Sequence, residues 1–125
     1  MEYSIDIDHE LKLIIYRHSG LLSTENIGEV WTQFLTMPEF TQMKYNLLSD
    51  YRKSKFLFSV EKVTEIVNFM RNIEAIVRGK KQALILDDPR STAASILFEQ
   101  KVYKEVGFDV KVFSTENAAL DWLSY

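Results

Sequence analysis

The chain has 125 residues, a net charge of -3, and 46% hydrophobic and 26% charged residues, which fits one soluble globular domain. It lacks the basic excess of a general nucleic-acid binder. With no cysteine, disulfides, zinc-thiolate sites and thiol catalysis are excluded.

Tyr3, Ile5 and Ile7 alternate with Ser4, Asp6 and Asp8, the pattern of a half-buried strand. Leu11 to Tyr16 reads as a second strand. Only Asp8-His9-Glu10 lies between them, so the two are expected to pair antiparallel. Arg17 to Gly20 then leaves the sheet. A helix begins at Ser23 or Thr24, with Ile27, Val30, Trp31, Phe34 and Leu35 on one face, and Pro38 ends it by disfavouring helical geometry at Met37. Gly28, inside that helix, costs about 1 kcal/mol against alanine and suggests close packing on the sheet.

Tyr45 to Asp50 is the third strand. A loop, Tyr51 to Phe58, leads into a long helix from about Val60 to Arg78. Ser59 is its expected cap, Phe58 its staple against Val63, and Gly79 its left-handed end. Gln82 to Asp87 is apolar at nearly every position, so it belongs inside a sheet covered on both faces. A helix from Ser91 or Thr92 ends at Gly107. Asp109 to Phe113 is the fifth strand, and Ser114 caps a last helix that turns Ala119, Trp122 and Leu123 inward. The order β-β-α-β-α-β-α-β-α describes one α/β domain over residues 1–125, with a mixed five-stranded sheet and about four helices.

The closing stretch Val110-Lys-Val-Phe-Ser-Thr-Glu-Asn-Ala-Ala-Leu-Asp-Trp-Leu123 resembles the ending of STAS-like, SpoIIAA-like bacterial proteins, where a Val-x-Val-Phe strand enters a helix with Ala-x-x-Trp-Leu. Leu47-Leu-Ser-Asp-Tyr-Arg52 resembles that family's third strand, and Ala83 to Asp87 followed by Pro89 fits as well. The resemblance implies a non-enzymatic regulatory or protein-interaction module with a protein partner. It also implies a phosphate-accepting serine in an Asp-Ser-Ser-Gly-like helix start. Here Asp50 is followed by Tyr51-Arg52-Lys53, so the phospho-switch is not carried over, and neither Ser54 nor Ser59 matches the motif.

In open α/β sheets, ligands gather beyond the carboxyl ends of the strands. That rim holds Asp50, Arg52, Lys53, Asp87, Asp88 and Arg90, the candidate binding residues. Three readings stand side by side. Arg52, Lys53 and Arg90 hold an anion at two helix starts; Asp50, Asp87 and Asp88 hold a hard cation; or the acids cap turns and pair with Arg52 and Arg90. No metal, cofactor or catalytic residue is assigned. Tyr51, Phe56 and Phe58 form a candidate lid or contact loop, and with the rim they suggest a second function, binding of a small molecule, anion or lipid. Asp50 superficially suits a receiver domain, but the acidic pair such a site needs after its first strand is missing. His9 and His18 have no histidine or cysteine at ligand spacing, so each is read as solvated or locally bonded. No signal peptide, membrane helix, Walker loop or nucleotide glycine motif appears, and the expected setting is the cytoplasm. An edge strand offers a surface for homodimer formation.

Overall fold

In a computed structural model that describes residues 2–125, the sheet has five strands in the order β1-β2-β3-β4-β5. They are β1 (Glu2–Asp8), β2 (Leu13–Leu22), β3 (Asn46–Phe56), β4 (Lys81–Ile85) and β5 (Asp109–Phe113). β1 and β2 pair antiparallel; every later pair is parallel. The helices are α1 (Thr24–Phe34), α2 (Pro38–Thr41), α3 (Val63–Asn72), α4 (Glu74–Val77), α5 (Pro89–Val106) and α6 (Glu116–Leu123). α2 and α4 are single turns, which explains six where about four were expected.

Each parallel step moves to the next strand in the same direction, and right-handed crossovers then land on one face. The main core obeys this. Trp31 and Phe34 of α1, Val67 and Met70 of α3, and Phe98 and Val102 of α5 pack on Tyr16, Leu47 and Leu84. The opposite face carries only α6, whose Ala119 and Leu123 meet Leu13, Leu48, Ala83 and Ile85. β4 is buried from Gln82 to Ile85 between two helical layers, as its composition predicts, although β3 is the central strand.

Local signals set many boundaries. Ser23 and Asn26 form a reciprocal capping box at the start of α1. Gly79 and Gly107 sit at φ 80° and 78°, the left-handed geometry their positions predict, and the Gly79 N–H donates to the Gly107 carbonyl at 3.0 Å. Other expectations shift. Asp88 caps α5, so the helix begins at Pro89 rather than Ser91. Thr115, not Ser114, caps α6. α1 stops at Phe34, and Pro38 opens α2 instead of ending the longer helix.

Three corrections are larger. Arg17 to Gly20 stays in the sheet, because β2 runs on to Leu22. The expected 51–58 loop is mostly strand, since Tyr51 to Phe56 continue β3 against β2. The expected 60–78 helix is a 3-10 turn at Val60–Lys62, then α3, a break at Ile73, and α4; the Ser59 hydroxyl accepts no backbone N–H. Gly28 needs no close approach either, because a Cβ there would meet nothing within 4 Å.

Lys80 is only 5% exposed, with Nζ 3.7 Å above the Phe40 ring and donating to the Phe40 carbonyl. On the edge strand β5, the backbone N–H of Val112 donates to Glu99 Oε2 of α5 at 3.0 Å.

Candidate functional site

The last β3–β4 pair is Asp50 with Ile85; beyond it β3 is flanked only by β2. Asp50 thus stands where the sheet narrows. Its side chain shares a face with Arg17, its cross-strand partner on β2. The register then slips. Arg17 faces Asp50 but Ser19 faces Lys53, so two residues, Tyr51 and Arg52, stand opposite His18 alone. Such a bulge bends its strand and re-aims side chains. Here Arg52 turns back on Asp50.

The result is a four-membered ion network. Arg52 donates to both Asp50 oxygens, from Nε at 2.9 Å and a terminal nitrogen at 2.8 Å, and its backbone N–H adds a bond of 3.1 Å. Arg17 donates to Asp50 at 2.7 Å and to Glu116 at 2.8 Å. Glu116, the first residue of α6, lies 3.5 Å from Arg52. Burial alone would raise the Asp50 pKa, yet the bonds from Arg52 and Arg17 hold it below the ordinary carboxylate value. A carboxylate so fully occupied is a structural tie. It is not poised as a general base.

Around the network, over the part of the sheet that α6 leaves uncovered, lies a cleft of about 480 Å³. Ser4, Arg17, Ser19, Asp50, Arg52 and Lys53 line it. The remaining rim candidates do not gather there. Asp88 spends its carboxylate on the Ser91 N–H and hydroxyl, at 3.0 and 2.8 Å. Asp87 and Arg90 are exposed, and no ion pair joins them. Among the described residues no three acids or histidines cluster as a metal site would require.

Tyr51, Phe56 and Phe58 lie on the other side. Tyr51 and Phe58 are buried, Phe56 half-buried, and their rings run in series: Tyr51 meets Phe56 edge-on at 5.5 Å and Phe56 stacks on Phe58 at 5.0 Å. They wall a small cavity of about 50 Å³ under α1, α3 and α5, whose other lining includes Trp31, Met70, Phe98 and the polar Gln82 and Ser95. As components of the packed layer they are walls. Tyr51 and Phe56 belong to β3, with Phe56 opposite Leu22 of β2, so this segment is strand up to Phe56 rather than loop.

Sequence reading missed Arg17 and Glu116. The sequence pattern puts Arg17 outside the sheet, and Glu116 reads locally as an ordinary acid at a helix start. Only the β2–β3 register and the position of α6 bring them to Asp50. His9 is locally bonded, with Nδ1 2.9 Å from the Tyr45 hydroxyl. His18 is buried, with Nδ1 2.7 Å from Ser54 Oγ.

No protein-family model and no curated protein sequence matches the chain. Solved structures do. An uncharacterized protein of the DUF3478 family with a SpoIIAA-like fold, from Shewanella loihica PV-4, superposes with a TM-score of 0.63 at 14% identity, covering 97% of this chain and 93% of its own. The anti-sigma factor antagonist SpoIIAA in its unphosphorylated form gives a TM-score of 0.57 at 16% identity, covering 98% and 97%. This chain therefore has a SpoIIAA-like fold, as the resemblance of its closing strand and helix implies.

Proposed function

We propose that this protein is a non-catalytic regulatory module that works in the cytoplasm by binding another protein through the charged cleft at the end of β3. The observation that carries the reading is the Arg17–Asp50–Arg52–Glu116 network. Its acids and bases neutralise one another in a fixed geometry, which suits a recognition surface better than acid–base chemistry. The SpoIIAA of similar fold is an antagonist of an anti-sigma factor, a role exercised on another protein. Lys53 lines the cleft, is exposed, and has no ion-pair partner among the described residues, so it can be changed without breaking the network. Immobilised protein incubated with lysate should retain one stoichiometric protein, and Lys53→Glu should lose it while circular dichroism stays unchanged. Equal retention by the variant would move the contact surface elsewhere.

The cavity behind Tyr51, Phe56 and Phe58 favours a second reading, a binder of a small apolar molecule with one polar group. Its walls are aromatic and aliphatic, with Gln82 and Ser95 as polar anchors. At about 50 Å³ it holds little unless Phe56 and Phe58 swing out. Native mass spectrometry distinguishes the readings: a co-purified small mass supports this one, and an unliganded mass together with protein retention supports the first.

A further inference from the structure

β2 and β3 outrun the rest of the sheet. Past the bulge, residues 53–56 pair with β2 alone, and beyond Ser19, where pairing with β1 ends, the two strands form a two-stranded ribbon whose far end is tied by the Leu57 N–H to the Leu22 carbonyl at 2.8 Å. At the root of the ribbon, opposite the bulge, sits His18, 3% exposed. The Ser54 hydroxyl donates to the His18 carbonyl at 2.8 Å, so its single proton is spent. His18 Nδ1, 2.7 Å from the same hydroxyl, is therefore the donor, and Nε2 carries the bare lone pair. Among the described residues, the buried Nε2 has no hydrogen-bond partner.

We propose that His18 is an acid-sensitive latch: neutral, it locks the β2–β3 ribbon shut through Ser54, and protonated, it lets the ribbon open. A second proton must go on Nε2, creating a charged donor with nothing to receive its bond. The groups that face the ring cannot help. They are Tyr16 on the same strand, at 6.1 Å between centroids, and Tyr51 on β3 at 6.4 Å. Tyr3 of β1, the cross-strand partner, packs its ring on Tyr16. The Tyr16 hydroxyl is itself without a partner. Arg17, the next residue, lies on the opposite face of the strand, bonded to Asp50 and Glu116. No carboxylate is hydrogen-bonded to the imidazole. Burial accordingly holds the His18 pKa below the ordinary histidine value.

The sign follows from linkage. The open ribbon takes up a proton near pH 6.5 and the closed one only at lower pH, so closure weakens as pH falls below about 6.5. Opening should grow as pH falls, by less than tenfold per pH unit and by at most about thirtyfold at pH 5. Asp50 does not share this window, because its pKa is lowered from an already acidic value. Since the ribbon carries Phe56, its opening would also unwall the apolar cavity.

The test is amide hydrogen exchange by NMR from pH 7 to 5, corrected for intrinsic rates, with the His18 ring protons titrated in the same samples. Amides of residues 20–22 and 53–56 should lose protection, by at most about thirtyfold, while those of β4 and α6 hold, and His18 should titrate below pH 6.5. The His18→Gln variant should flatten the response. Should that variant fail to fold, the wild-type titration and exchange still decide. A His18 pKa at or above 6.5, an equal loss across the sheet, or an undiminished response in the variant would overturn the proposal.

Discussion

The β4–α5–β5–α6 unit and the β2–β3 ribbon are built by different means. In the first, each boundary is enforced within a few residues: Asp88 holds the start of α5, Gly107 its end and Thr115 the start of α6. In the ribbon, the Ser23 capping box ends β2, but nothing local holds the strands extended before it. Residues 18–22 and 53–56 stay extended because each supplies the other's backbone partners across more than thirty positions. Elements of the first kind carry their own instructions. Elements of the second kind exist only by agreement between distant segments, and that is also where the bulge, the ion network and the buried histidine collect.

Substitutions can press on this division. The largest loss is expected in the locally specified unit. Phe108 is fully buried between α5 and β5, edge-on to Trp31 at 5.9 Å, and Phe108→Ala should cost about 3–5 kcal/mol in urea denaturation. Next is Asp50→Ala, which strands two arginines. Their side chains are 42% and 37% exposed and can turn to water, so the cost should be about 2 kcal/mol rather than that of a fully buried pair. Because the Asp50 pKa is lowered, its stabilisation is present above the ordinary carboxylate range and disappears as pH falls below about 4. A wild-type minus variant difference that does not shrink in acid would mean the network is not electrostatic.

Smaller effects sharpen the contrast between true and apparent local signals. Asp88→Ala should cost about 1 kcal/mol, because a real cap is lost, while Ser59→Ala should change stability by less than about 0.5 kcal/mol. Equal costs would show Ser59 capping in solution. Gly28→Ala should stabilise by roughly 0.5–1 kcal/mol, given the empty space at its Cβ; a loss would mean α1 lies closer to a neighbour than the structure places it.

The chain's order of strands and helices was legible because apolar runs, alternation and left-handed glycines are written locally. Asp109 to Phe113 is an example, recovered with its bounds intact. The resemblance of residues 110–123 pointed to the fold that the structural comparisons support. The candidate rim was readable only in its Asp50–Arg52 part, since those two meet through a two-residue spacing. Asp87 and Arg90 share the rim, but no ion pair joins them among the described residues. Tyr51 to Phe58 misled for a physical reason. Cations interleaved with aromatics look like a mobile surface, but the segment is strand, and the bulge at Tyr51–Arg52 shifts its alternation by one, so that Tyr51 and Ser54 turn inward while Lys53 and Lys55 are exposed.

Glu99 adds one consequence for assembly. A newcomer strand approaching β5 must evict the Glu99 carboxylate from the Val112 amide before it can zip on. Among the described residues the other border has no such plug; it carries the acids Glu2, Asp6 and Asp8, which repel an identical strand while leaving a cationic one welcome. The two borders of the sheet are thus guarded unequally, one by a stopper and one by a charge filter.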